Sequence, residues 1–191
     1  MRALLAGCAL VLALAGAAAA QDRSRTTRLD LAGAAEAQVG VTLLYDPAYV
    51  RLDYPGGDVP RDRGVCSDVV VRSFRAIAVD LQVELHEDMN GAFAAYPRNW
   101  GLRRPDSNID HRRVPNLMTW FTRRGKAVPA RATFEPGDVV AWRLPNGLHH
   151  IGVVSRQRSA SGVPLMVHNI GQGARIEDVL QAFEIIGHYR W

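Results

Sequence analysis

Gly64-Val65-Cys66-Ser67-Asp68 is the stretch from which the fold of this chain can be argued. The apolar residues that follow it recur at the spacing of a buried helix, and they do not alternate as in a strand. Gly64 and the polar, proline-containing run before it predict a turn, so Cys66 falls in the first turn of the helix. A thiol there meets unpaired N–H groups and the positive end of the helix dipole, and both favour the thiolate.

Around this helix, the sequence predicts helices in the first half of the chain and strands in the second half. The predicted helices cover residues 29–39, 66–78, 80–95 and 114–124. The predicted strands cover residues 138–144, 150–155, 163–170 and 184–189, with a short helix at 177–183. Helices that precede an antiparallel sheet indicate one α+β domain. The long polar stretch at 96–115 is a candidate wall of a cleft, because long ordered loops often carry function.

The first 20 residues have the features of a signal peptide: Arg2, an apolar run, and the small residues Ala18-Ala19-Ala20. The apolar run is too short to span a bilayer comfortably, so we expect its removal and no stable membrane insertion afterwards. A lipoprotein cleavage box at Leu5-Ala6-Gly7-Cys8 is the less favoured alternative, because the apolar core lies after Cys8. The sequence therefore predicts a periplasmic or secreted protein, with a flexible segment at residues 21–28 and a single domain at residues 29–191.

The charged residues and the cysteines limit the classes of partner and of site. The formal net charge is +4, and Lys126 is the only lysine. Because the arginines are scattered and form no long basic tail, we expect no nucleic-acid partner.

Removal of the signal peptide takes Cys8 away, so Cys66 can form no internal disulfide. A lone thiol in an oxidising compartment is either reactive or a small buried hydrophobic residue, and the sequence leaves both readings open.

A cysteine nucleophile needs a base beside it and a third group that orients the base. His149 and His150 enter a predicted strand after a hairpin turn, and pairing with the next strand would bring His168 close to His150. Neighbouring residues of a strand point to opposite faces, so we expect only one of His149 and His150 to meet Cys66, and we favour His150. Asn169 is an alternative to His168, because an asparagine can also hold one histidine tautomer.

Several local signatures resemble a known superfamily. In chain order they are Tyr54-Pro55-Gly56-Gly57, Cys66-Ser67, Pro136-Gly137-Asp138-Val139-Val140, His150-Ile151-Gly152-Val153-Val154 and Val167-His168. Together they resemble the NlpC and CHAP cell-wall amidases, which are papain-like cysteine peptidases. Within that superfamily, four further stretches are similar to exported bacterial proteins of unknown function. These stretches are residues 64–66, 86–89, 108–116 and 168–171.

The resemblance implies a papain-like fold in which Cys66 is the nucleophile, His150 is the base and His168 orients the base. It further implies that Tyr54 shapes the site and its oxyanion contacts, and that Ser67 and Asn169 bind substrate. The backbone N–H of Cys66 would also face the oxyanion. The chain departs from the amidase pattern beside the cysteine, since Val65 and Asp68 replace an aspartate and a glycine. This departure puts the substrate in doubt more than the thiol chemistry.

The sequence therefore predicts a secreted cysteine hydrolase that cleaves amide bonds in peptidoglycan stem peptides, without a metal or another cofactor. Arginines of the 96–115 stretch would suit a carboxylate-bearing ligand, or they form a solvated surface. One alternative is a catalytically silent module that binds the cell wall with the same fold. A second is a zinc site built from Cys66, His150 and His168, and a third is acyl transfer in place of hydrolysis.

Overall fold

The computed structural model describes residues 2–129 and 132–191, with side chains from residue 19 onward. Within these residues, four α-helices precede a five-stranded antiparallel sheet, which confirms the predicted α+β class. The helices are α1 (Arg2–Glu36), α2 (Cys66–Ala76), α3 (Leu81–Ala92) and α4 (Val114–Arg123). Short 3₁₀ turns cover Phe93–Ala95 and Asp110–Arg112.

Two sheets are present in the described part of the chain. A small parallel one joins β1 (Leu44–Tyr45) to β2 (Arg63–Gly64). The large one contains β3 (Val139–Arg143), β4 (His149–Arg158), β5 (Pro164–His168), β6 (Arg175–Glu177) and β7 (Glu184–Tyr189). Its strand order is β6-β5-β4-β3-β7, and every neighbouring pair is antiparallel.

The two faces of the large sheet bury different apolar clusters. On one face, Ile151 and Val153 of β4 pack with residues of α2 such as Val69. On the other face, Trp142 and Val154 belong to a smaller cluster that includes Leu180. The strands therefore alternate between a helix-covered face and a loop-covered face, as the period of two residues requires.

Two segments differ from their predicted conformation. Residues 21–28, which the sequence predicts to be flexible, are helical within α1. No glycine or proline interrupts residues 17–32, and Arg28 Nη2 lies 2.9 Å from Glu135 Oε2. The predicted helix at 177–183 is wrong. Residue 177 ends a strand, and residues 178–183 form turns whose apolar side chains pack on the loop-covered face of the sheet.

The predicted signal peptide at residues 1–20 lies mostly outside the residues whose side chains are described. From Arg2 onward its backbone forms the first part of α1. Among the described residues, no helix is long and apolar enough to cross a membrane.

The loop from residue 96 to residue 113 is ordered by its own polar groups. Asp110 Oδ2 accepts a hydrogen bond from the backbone N–H of Asp106 at 2.6 Å. Asn116 at the start of α4 donates to the carbonyl oxygen of Asp110 at 3.2 Å. The loop is therefore a fixed wall beside α2 and α4, as its length and composition predicted.

His111 in this loop gives the fold a testable dependence on pH. Its side chain is buried, and this burial, assisted by Arg75 and Arg112, lowers the pKa of His111 to about 4. Below about pH 6.5 the unfolded chain binds a proton at this residue and the folded chain does not, so acid removes stability.

A His111→Gln variant is therefore expected to lose about 3 kcal/mol less free energy of unfolding than the wild type between pH 7 and pH 4. Urea unfolding at both pH values measures this difference. Equal losses in the two proteins would contradict the assignment of acid sensitivity to His111.

Candidate active site

Cys66 is the first residue of α2, and three backbone N–H groups face its sulfur. Two of them belong to Cys66 itself and to Ser67, as expected at the start of a helix. The third belongs to Ile151 and reaches the sulfur from β4. The helix start is fixed by Asp68, whose Oδ2 accepts a hydrogen bond from the N–H of Val65 at 2.6 Å.

The sulfur of Cys66 lies at a gap in the sheet. Val154 of β4 donates its N–H to Asp138 on the β3 side, so the N–H of Ile151, three residues earlier, points to the β5 side. There β5 has already ended at His168, and the N–H of Ile151 meets the sulfur instead of a strand. Because strand N–H groups lie in the plane of the sheet, the sulfur reaches the rim of the sheet, although Cys66 also belongs to the apolar cluster of the helix-covered face. Strand alternation alone therefore does not decide between His149 and His150.

His150 and His168 form a pair on the loop-covered face of the sheet. Nε2 of His150 lies 2.9 Å from Nδ1 of His168, as the pairing of their strands predicted. The ring of His150 stacks on that of Trp142 with centroids 5.6 Å apart. Gly152 leaves the space for this arrangement, because a Cβ there would lie 3.1 Å from His168 Cβ and 3.3 Å from the Trp142 ring.

His149 lies on the opposite face and lines an open groove together with Cys66. The structure thus brings both histidines of the pair 149–150 to the region of the thiol. Among the described residues, the thiol makes no hydrogen bond to either ring, and only His150 has a second imidazole beside it. His150 is therefore the better-oriented candidate base, and His149 is the more accessible one.

Tyr45, and not Tyr54, is the tyrosine beside the thiol. Tyr45 pairs with Gly64 across the small parallel sheet and lines the same groove as Cys66. Burial raises the pKa of Tyr45, and the neighbouring Cys66 adds to this effect. Tyr54 instead packs its ring against His86 of α3 at 5.2 Å. Tyr54 lies in a turn away from the thiol, and Tyr45 of β1 borders the thiol instead.

Ser67 and Asn169 serve the scaffold, so the substrate-binding roles expected of their side chains do not fit their contacts. Ser67 is buried, and its Oγ donates to the carbonyl oxygen of Arg112 at 2.7 Å. Asn169 donates its amide to the carbonyl oxygens of Gly64 at 3.0 Å and Leu44 at 3.3 Å. Asn169 therefore fixes the chain that leads into Cys66, and it does not orient His150.

Burial decides the protonation of the site and reverses one expectation from the sequence. It raises the pKa of Cys66 to about 12, and the N–H groups that face the sulfur only oppose this rise. Burial, with the imidazole of His168 as a second cause, lowers the pKa of His150 to about 3. Near neutral pH the resting site thus holds a thiol and a neutral imidazole, and the thiolate predicted from the helix dipole is not its resting form.

Alkylation of Cys66 by iodoacetamide should therefore be slow at neutral pH. At pH 7 a pKa of about 12 leaves a thiolate fraction on the order of 10⁻⁵, against about 3% for an ordinary cysteine. We expect the rate constant, followed by mass spectrometry, to rise about tenfold per pH unit between pH 6 and pH 9. A rate that is already constant above pH 6 would instead indicate a preformed thiolate.

The groove above the thiol has a volume of about 400 Å³. One wall comes from the 96–113 loop, where the guanidinium of Arg113 lies 4.2 Å from the centre of the Trp100 ring. Leu148 and His149, at the start of β4, form the opposite wall. The groove is therefore mostly apolar, and Arg113 at its rim is already paired with Asp110, with Nη1 3.0 Å from Oδ1.

Arg112 is not available to a ligand. Its Nε and Nη2 bind both carboxylate oxygens of Asp68 at 2.9 Å, and both side chains are almost fully buried. Nη1 donates to the carbonyl oxygen of Ala48, and Nη2 donates also to that of Asp46. This arginine joins the first turn of α2 to the chain that follows β1.

The alternative of a zinc site does not fit the geometry. The facing nitrogen atoms of His150 and His168 lie 2.9 Å apart, so neither lone pair is directed at a common ion with Cys66. Among the described residues, no group of three histidine, cysteine, aspartate or glutamate side chains is arranged to hold a metal ion.

The chain is similar over residues 32–191 to the family described as "Domain of unknown function (DUF1287)". It is 58% identical to "Uncharacterized protein YijF" of Escherichia coli (strain K12) over 168 residues. This alignment covers 86% of this chain and 82% of that protein. The resemblance to a family of unknown function is thereby confirmed. Among solved structures, NlpC1 from Trichomonas vaginalis aligns with a TM-score of 0.47 and 12% identity. That alignment covers 84% of this chain and 42% of NlpC1, so the chain spans less than half the length of NlpC1.

Proposed function

Since the chain belongs to the DUF1287 family, whose description states no activity, we propose its function from the site itself: a cysteine hydrolase that cleaves amide bonds. One observation carries the proposal. The sulfur of Cys66 lies at the rim of the sheet, against the N–H that follows His150, and His150 is paired with His168 at 2.9 Å. This arrangement supports a site in which Cys66 is the nucleophile, His150 is the base and His168 orients the base.

In this mechanism the proton of the thiol moves to Nδ1 of His150 as the sulfur attacks the amide carbonyl carbon. Nδ1 has no hydrogen-bond partner among the described residues, and the low pKa of His150 keeps its ring neutral near neutral pH, with a lone pair free for the proton. Because both groups rest in their neutral forms, proton transfer accompanies the attack. Catalytic contacts of this kind are often loose without substrate and tighten when it binds.

The oxyanion that forms is stabilised by the backbone N–H of Cys66 and by the phenol of Tyr45. Both groups border the groove next to the sulfur, and the start of α2 adds its positive end. The tetrahedral intermediate then collapses, and the protonated His150 gives its proton to the departing amine. Water, activated by the same imidazole, hydrolyses the thioester and releases the carboxylate.

Peptidoglycan stem peptides are the substrate that we propose for this site, in the periplasm or outside the cell. The signal-peptide features and the resemblance to the cell-wall amidases support this choice. The groove adds a physical argument, since its apolar walls suit alanine-like side chains.

The test is to incubate the purified protein with muropeptides and to separate the products by mass spectrometry. We expect cleavage at one peptide bond, and we expect acid quenching during turnover to leave an acyl group on Cys66. Intact muropeptides and an unmodified Cys66, in an assay where an established amidase cleaves them, would reject the proposal.

A binding module without catalysis is the second candidate, because Cys66 is only 5% exposed and its pKa is raised to about 12. This candidate predicts that wild-type protein and a Cys66→Ala variant retain muropeptides equally and that neither cleaves them. Equilibrium binding to both proteins, measured beside the cleavage assay, separates the two functions.

A further inference from the structure

We propose that Glu177 is a positioning residue of this site: through His168 it selects the tautomer of His150 that leaves Nδ1 free to accept a proton. The inference rests on the proposed function for its meaning, but its geometry and its test stand apart from catalysis. It concerns a half-buried carboxylate on an edge strand, to which the sequence signatures assign no role.

The four side chains concerned form a row across one face of the sheet. Trp142 of β3 lies opposite His150 of β4. The register of β4 with β5 places His168 on the same face as His150, and Met166, two residues before His168, lies opposite Glu177 of β6. Glu177 is thus the diagonal neighbour of His168, within reach of a long side chain.

The contact between Glu177 and His168 fixes the proton on His168. Nε2 of His168 is buried and lies 2.9 Å from Oε2 of Glu177, with the oxygen off the direction of an ideal hydrogen bond. A carboxylate accepts hydrogen bonds and donates none, so it repels a lone pair on Nε2 and attracts an N–H. The attraction is electrostatic, and Glu177 counteracts the effect of burial on the pKa of His168.

The proton on His168 then determines the proton on His150. A neutral His168 with hydrogen on Nε2 presents a lone pair at Nδ1, which lies 2.9 Å from Nε2 of His150. Nε2 of His150 must therefore be the donor of that hydrogen bond. A neutral His150 with hydrogen on Nε2 carries its lone pair on Nδ1, the atom that the proposed mechanism needs.

The proton balance of the row remains consistent when the thiol reacts. The proton of Cys66 moves to Nδ1 of His150, which becomes a cation with hydrogen on both nitrogens. Nε2 of His150 still donates to His168, and the carboxylate of Glu177 lies beyond His168 as the nearest negative charge of the row. No proton has to leave His168.

The test uses NMR of the purified protein with ¹⁵N-labelled histidine, because long-range ¹H–¹⁵N spectra distinguish protonated from unprotonated ring nitrogens. At neutral pH we expect the wild type to carry hydrogen on Nε2 of both His150 and His168. In a Glu177→Ala variant the buried Nε2 of His168 loses the carboxylate that attracts its N–H, so we expect a shift toward hydrogen on Nδ1 of both rings. His150→Gln and His168→Gln variants assign the signals.

Glu184→Ala is the matched control, since Glu184 is an exposed carboxylate on the other edge strand and pairs with Arg143 at 3.2 Å. This control should leave both tautomers unchanged. Unchanged tautomers in Glu177→Ala, or hydrogen on Nδ1 of His150 in the wild type, would overturn the inference. The spectra require no substrate, so a failure of the proposed hydrolysis would not be confused with a failure of the role of Glu177.

Discussion

A His150→Ala variant is expected to lose about 10²- to 10⁴-fold in kcat for amide cleavage, the range for removal of a general base. Cys66→Ala should lose all thiol-dependent cleavage, since no other cysteine follows the predicted signal peptide. The reason is specific to this site: with a thiol pKa of about 12, almost no thiolate exists without a base that removes the proton. Steady-state kinetics on muropeptides measures both effects.

His149→Ala is the matched control for the base. His149 is the adjacent residue, it lines the groove, and no other described histidine pairs with its ring. We expect this substitution to change KM through lost contacts with substrate and to leave kcat within about threefold of the wild type. A collapse of kcat in His149→Ala, with His150→Ala little affected, would transfer the role of base to His149.

The second large effect concerns stability. Arg112→Ala is expected to lower the free energy of unfolding by about 3–5 kcal/mol, because it leaves the carboxylate of Asp68 buried without its bidentate partner. The loss should also disturb the site, since Asp68 holds the N–H before Cys66 and Arg112 holds the chain after Tyr45. Urea unfolding measures the change in stability.

Arg124→Ala provides the comparison, because Arg124 forms an exposed ion pair with Glu84 at 2.6 Å. Exposed pairs contribute about 0–1 kcal/mol, so this variant should unfold almost as the wild type does. Similar losses in the two variants would show that the pair of Arg112 with Asp68 has no special weight. A double replacement of Asp68 and Arg112 by apolar residues should recover part of the loss.

The sequence predicted the parts of the structure that depend on local patterns. The helix that starts at Cys66 follows from a turn and an apolar period, and the strands that carry His150 and His168 follow from a hairpin signal and alternation. Their pairing then placed the two imidazoles side by side. These predictions required only short-range chemistry and strand register.

The parts that the sequence did not predict depend on contacts between distant segments. Tyr45 reaches the site because two residues of β1 pair with two of β2, and so short a pairing leaves no periodic signal in the sequence. The signature at Tyr54 predicted a different tyrosine for the site. The pKa of Cys66 depends on how completely the fold covers the sulfur, and no spacing reports that. The one available signal for Tyr45 was its short apolar run before Asp46-Pro47.

The end of β5 at His168 has a consequence for how the nucleophile is aimed. The amide of Ile151 would be unsatisfied at that end of the strand, and the sulfur of residue 66 occupies the vacant place. The reactive atom therefore lies against a main-chain N–H whose position is set by the register of β4 in the sheet. A shift of β4 would therefore change the sheet and the surroundings of the sulfur together, so the scaffold and the chemistry are under one common constraint.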